Sequence, residues 1–200
     1  MKFLSALLLP ALALAAPTSL DPRQAGQIQI TSVTASGAGC PQGSFSTSIS
    51  PDGTVITFGF DSYQTLVGPQ TNQREEDCNI FLGLRFPVGC SSASISTTYH
   101  GFAQIDSGVT GTLQASYNLS PGSLTGSTPT TTFTSASWGG GGVYTKQDTL
   151  TAKATINSPN QQNVNFEIRN RAILQASNSA VSGTLTVDDT TITITQIKKC

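Results

Sequence analysis

Apolar residues recur at every second position in this chain, and that period decides most of what it can fold into. Ile56, Phe58 and Phe60 alternate with Thr57 and Gly59. Ile80, Leu82, Leu84 and Phe86 form a second stripe, with Gly83 and Arg85 between them. Val164, Phe166 and Ile168 alternate with Asn165, Glu167 and Arg169, and Ile192 and Ile194 alternate with threonines. Successive side chains of a strand point to opposite faces, so a period of two buries one face and wets the other. Turn-forming residues fall between the stripes: Pro51-Asp52-Gly53, Asp106-Ser107-Gly108 and Asp188-Asp189. With almost no helical period, the pattern predicts roughly ten strands in a single all-β domain. The expected architecture is an antiparallel β-sandwich of jelly-roll type.

Residues 1–15 read as a signal peptide. Lys2 supplies the positive start, Phe3 to Leu14 an apolar run, and Ala13-Leu14-Ala15 a small-x-small cleavage site. Residues 16–26 read as a short spacer or pro-segment, with Arg23 as an alternative processing point. Residues 27–200 are left as the folded domain, long enough for one sizeable core. No later stretch is apolar enough to span a membrane. The expected location is therefore secreted, extracellular or associated with a cell wall.

Four cysteines, Cys40, Cys78, Cys90 and Cys200, follow this leader. An even number in a secreted chain implies two disulfides, with three pairings open. A metal site is not expected: there is no CxxC, and a single histidine cannot complete the usual zinc sets. No cofactor is implied. The formal net charge is only −1, so no basic face recommends nucleic acid.

The one histidine, His100, limits the available catalysis. A Ser-His-Asp hydrolase would need it as base, and no Gly-x-Ser-x-Gly elbow is present. A copper histidine brace would need a second histidine at the mature N-terminus. Parity with Tyr99 and Ile105 turns His100 away from the core, unless Gly101 hosts a bulge. Tyr99–Ile105 and Val109–Tyr117 are expected to form a hairpin about Asp106-Ser107-Gly108, with Asp106 explained by the turn. Glycoside hydrolysis needs only two carboxylates about 5–10 Å apart, for which Asp61, Asp106 and Glu167 are the isolated candidates. Glu75-Glu76-Asp77 reads as a solvated loop without the ligand spacing of a calcium site.

Two polar stretches, Ser120–Pro129 and Trp138–Asp148, read as long loops, the second carrying Gly139 to Gly142. Trp138 and Tyr144 are the best aromatic pair for stacking on a sugar ring, and are the candidate ligand-binding residues. Asn118-Leu119-Ser120 is an N-glycosylation sequon, and Pro121 directly after it lowers its expected use. Parity with Val109, Leu113 and Tyr117 points Asn118 outward.

Several blocks then resemble a fungal secreted family, domain of unknown function 4360. They are Cys-Pro-Gln-Gly-Ser at 40–44, SPDGTVITFGFDSYQ at 50–64, YHGFAQIDSGVTG at 99–111, NSAVSGTLTVDD at 178–189, and the terminal Lys-Cys. The resemblance covers nearly the whole mature chain. It implies a Cys40–Cys78 bridge. Family members usually carry Ser-Pro-Cys-Gly where this chain has Ser158-Pro159-Asn160-Gln161, and Cys90 stands where they have no cysteine. A relocated Cys90–Cys200 bridge is the corresponding expectation. The resemblance implies no activity. The resulting reading is a secreted, non-enzymatic β-sandwich that binds polysaccharide or an extracellular protein, with a carboxylate-dependent polysaccharide hydrolase as the alternative.

Overall fold

A computed structural model describes residues 27–69, 71, 73–87, 92–155 and 162–197. The leader 1–15, the spacer 16–26, Cys90 and Cys200 lie outside the described residues. Thirteen strands are present among the described residues: β1 (Gln29–Ser36), β2 (Phe45–Ile49), β3 (Val55–Phe60), β4 (Gln64–Val67), β5 (Gln73–Phe86), β6 (Ser92–Ile105), β7 (Val109–Ser120), β8 (Gly122–Ser127), β9 (Thr131–Thr134), β10 (Gly142–Ala154), β11 (Gln162–Ala176), β12 (Gly183–Thr186) and β13 (Asp189–Gln196). One helical turn, α1 (Ser135–Trp138), precedes β10.

The strands form two antiparallel sheets. The first runs β1-β5-β11-β7-β9. The second runs β2-β3-β13-β6-β10-β8, with β12 pairing both β4 and the far end of β6. The alternating stripes meet between them. Ile80, Leu82, Leu84 and Phe86 of β5 and Phe166 and Ile168 of β11 come from one sheet. Ile56 and Phe58 of β3, Ile95, Tyr99 and Ile105 of β6 and Ile192 of β13 come from the other. All are essentially inaccessible, and each large apolar side chain so buried contributes about 1.5–3 kcal/mol. The all-β sandwich expected from the alternation is the observed fold.

Three sequence expectations need correction. First, β6 and β7 do not form a hairpin, because they belong to different sheets. The Asp106-Ser107-Gly108 turn is an arch that carries the chain across the sandwich, with Gly108 at φ +89°. Hairpin and arch use the same turn residues and the same alternation, so only the pairing distinguishes them. Second, Ser120–Pro129 and Trp138–Asp148 are mostly strand. β8 is an edge strand paired to β10, and β10 itself starts at Gly142. Third, Glu75-Glu76-Asp77 is not a loop but the first part of β5, in register with Ala172 to Ile173 and Arg171 of β11.

Candidate functional site

The outer face of the five-stranded sheet is built from the polar half of the same alternation. Because the registers of β1, β5, β11 and β7 are continuous here, side chains line up in rows across four strands. One row is Thr34, Phe81, Glu167 and Asn118. The adjacent row is Ser32, Gly83, Asn165 and Ser120. Between them lies an open groove of about 470 Å³. Gly83 forms part of the floor, and Ser32 fills the place of its missing side chain, with Oγ 2.3 Å from where a Cβ would stand. Phe81 rises beside that floor and is 41 % exposed.

The surrounding rows are also polar. Asn79 pairs with Arg169, and Arg169 with Ser116. Beyond them Arg171 makes two hydrogen bonds of 2.5 Å to the Glu75 carboxylate, which hold that carboxyl below its ordinary range. Glu167 is the one carboxylate among the described residues that line the groove. Such a surface can stack an apolar ring face on Phe81 and hydrogen-bond hydroxyls to the amides, hydroxyls and carboxylate around it.

The residues singled out from sequence are distributed differently from what the sequence reading expected. Tyr144 is buried, at 5 % exposure, and its hydroxyl donates to the Thr186 carbonyl at 2.5 Å. Trp138 is half-buried and packs edge-on against Phe133 (5.2 Å) and Tyr144 (6.4 Å). This aromatic cluster plugs one part of the sandwich, so Tyr144 offers no open ring face to a sugar. Tyr144 thus belongs to the packing, whereas Trp138 keeps part of its surface open.

His100 points outward, as its parity predicts. β6 pairs without a shift through Gly101, so no bulge intervenes. Its Nδ1 lies 2.8 Å from Asp189 Oδ1 across the β6–β13 pair, with both side chains partly exposed. Asp106 Oδ2 accepts from the Ser182 amide at 3.0 Å, and its carbonyl accepts from Val109, which fits its place in the turn. Neither Asp106 nor Asp61 lines the groove. Glu167 and Asn118 do, and Asn118 is exposed.

Phe81 is the residue that the sequence reading missed. Its signal was present: an aromatic on the polar parity of a strand whose other parity is Ile80, Leu82 and Leu84.

The model of a family described as domain of unknown function (DUF4360) matches residues 26–200. An uncharacterized secreted protein of Arthroderma benhamiae is 32 % identical over 175 residues, spanning 86 % of this chain and 69 % of its own length. A solved structure of TmCBM61 in complex with β-1,4-galactotriose aligns at 9 % identity and a TM-score of 0.28, over 84 % of this chain and 90 % of that one. HutD from Pseudomonas fluorescens SBW25 aligns at 10 % identity and a TM-score of 0.17, over 84 % of this chain and 100 % of that one. Neither structural likeness bears on what this chain binds.

Proposed function

This chain belongs to the DUF4360 family, and we propose that it is a secreted, non-enzymatic module that binds neutral polysaccharide in the outer-face groove. The observation that carries this reading is Phe81, an exposed ring standing among two polar rows that cross four strands. Sugars present an apolar ring face flanked by hydroxyls, and this surface offers the complement of both. With Glu167 as the only charged side chain lining the groove among the described residues, the surface suits a neutral chain better than a polyanion. Extracellular location is supported by residues 1–15, with their leader pattern, and by the relative described as secreted. A cell wall or an external polysaccharide substrate is where such a groove would find its ligand. The hydrolase alternative needs two carboxylates across one cleft, and Asp61 and Asp106 lie away from Glu167's groove.

The test is retention of the purified mature protein on a panel of insoluble neutral polysaccharides, with released sugar measured in parallel. Retention without sugar release is expected. Phe81→Ala should weaken retention about two- to tenfold, since an aromatic contact is worth about 0.5–1.5 kcal/mol and about 1.4 kcal/mol is a factor of ten. Its unfolding midpoint should stay near that of the parent, because the ring is exposed. Retention indifferent to Phe81→Ala, or absent across the panel, would overturn the reading. Steady release of sugar would replace it with the hydrolase.

A further inference from the structure

We infer that an N-linked glycan on Asn118 lies in the groove itself, over Glu167 and Phe81, and closes it to other glycans. The closure rests on the groove being the polysaccharide site; the seat of the glycan does not. Asn118 and Ser120, the two specifying residues of the sequon, are two apart on β7 and so share one face. That face is the groove, and both residues line it. A sugar attached to Asn118 Nδ2 therefore starts inside the site.

The register fixes what comes next. Asn118 is directly opposite Glu167, and Glu167 is directly opposite Phe81. Strands lie about 4.8 Å apart, so Phe81 stands about 10 Å from Asn118 along the row. The two-sugar core of an N-glycan covers that span, placing the first sugar over Glu167 and the second over the exposed ring. The attached glycan meets the same ring and polar groups that a free polysaccharide would, at the high effective concentration of a tethered ligand.

In the transfer, Asn118 Nδ2 bonds to the anomeric carbon of a lipid-pyrophosphate-linked oligosaccharide. The bond from that carbon to the pyrophosphate oxygen breaks, and the amide gives up one proton. Pro121, immediately after the sequon, makes the transfer incomplete. Secreted material is then a mixture of closed and open molecules, and sequon use sets their ratio.

The full chain would be secreted from a glycosylating host and, for comparison, from an oxidising bacterial periplasm. Intact mass and peptide mapping give occupancy at Asn118. Hydroxyl-radical footprinting reads Phe81, and polysaccharide retention reads the groove. Partial occupancy is expected. In the glycosylated fraction, Phe81 labelling should fall several-fold, and retention should be confined to the unmodified fraction. Endoglycosidase trimming should restore labelling towards that of the periplasmic protein. An unmodified Asn118, or equal Phe81 labelling in both fractions, overturns the inference. Shielding of Phe81 with no retention of either form supports the glycan seat and overturns the polysaccharide reading instead.

Discussion

Lys146 and Asp148 are two residues apart on β10, and both point into the sandwich, where their side chains are 1 % and 0 % exposed. Lys146 Nζ contacts both carboxylate oxygens of Asp148. The Tyr117 hydroxyl, from the opposite sheet, donates to Asp148 Oδ2 at 2.5 Å, and the Tyr99 hydroxyl lies 2.9 Å from that of Tyr117. Nζ also sits 5.0 Å from the centre of the Tyr99 ring. Burial pulls the Lys146 pKa down, while its bond to Asp148 opposes the shift. Burial also pushes the Tyr117 hydroxyl well up, so it remains a donor. Desolvating two charges consumes most of their mutual attraction, so the pair adds little net stability. Removing one partner is another matter, because the other charge is then stranded. Lys146→Met or Asp148→Asn should each cost about 3–5 kcal/mol in urea unfolding, whereas Lys146→Met with Asp148→Leu should recover most of the loss. Equal losses in single and double variants would mean that packing, not charge, holds this part of the core.

At the scale of the element, β6 shows how two sheets and a plug are fitted together. Its residues pair with β10 on one edge and with β13, then β12, on the other. At Gly101 the chain of β12 comes so close that a Cβ would lie 2.1 Å from the Thr186 carbonyl oxygen and 2.6 Å from the Tyr144 hydroxyl. That carbonyl is the one that accepts from Tyr144. Gly101→Ala must move backbone rather than a side-chain tip, and should cost about 1–3 kcal/mol by overpacking. Gly140→Ala, where a Cβ meets nothing within 4 Å, is the control and should leave the unfolding midpoint in place.

Such close approaches are invisible to periodicity, which reads one strand at a time. Alternation assigned β3, β5, β11 and β13 and the inward parity of β6 and β7, because each carries a buried apolar stripe. It missed β8, whose Ser, Thr and Gly residues carry no such stripe and form an edge. It also misplaced the β6–β7 connection, since partner choice depends on strands far away in sequence. The groove was legible only in fragments for the same reason. Glu167 stands out in the sequence as an isolated carboxylate and Asn118 as part of a sequon, but Ser32, Phe81, Asn118 and Asn165 meet only once four strands are in register.

For the whole molecule, the Cys40–Cys78 disulfide ties the connection between the two sheets to a central strand. The chain leaves the first sheet at the end of β1 and enters the second at β2, and Cys40 lies between them. It bonds to Cys78 within β5, with a Cα–Cα distance of 5.4 Å and a sequence separation of 38. Both cysteines are fully buried, and next to Cys40 the Gly39 backbone presses on the Tyr63 ring, leaving no room for a side chain. Closing a loop of this length removes denatured-state entropy worth about 4 kcal/mol in the chain-entropy model. The Cys40→Ala, Cys78→Ala variant should therefore lose about that much, read as a lower urea midpoint with little change in native spectra. The groove should survive, because its rows are set by the β1, β5, β11 and β7 registers rather than by the bridge. Polysaccharide retention by the folded variant should match that of the parent. A loss of retention at temperatures where the variant is still folded would show that the bridge also sets the β1–β5 register, on which Thr34 and Phe81 depend.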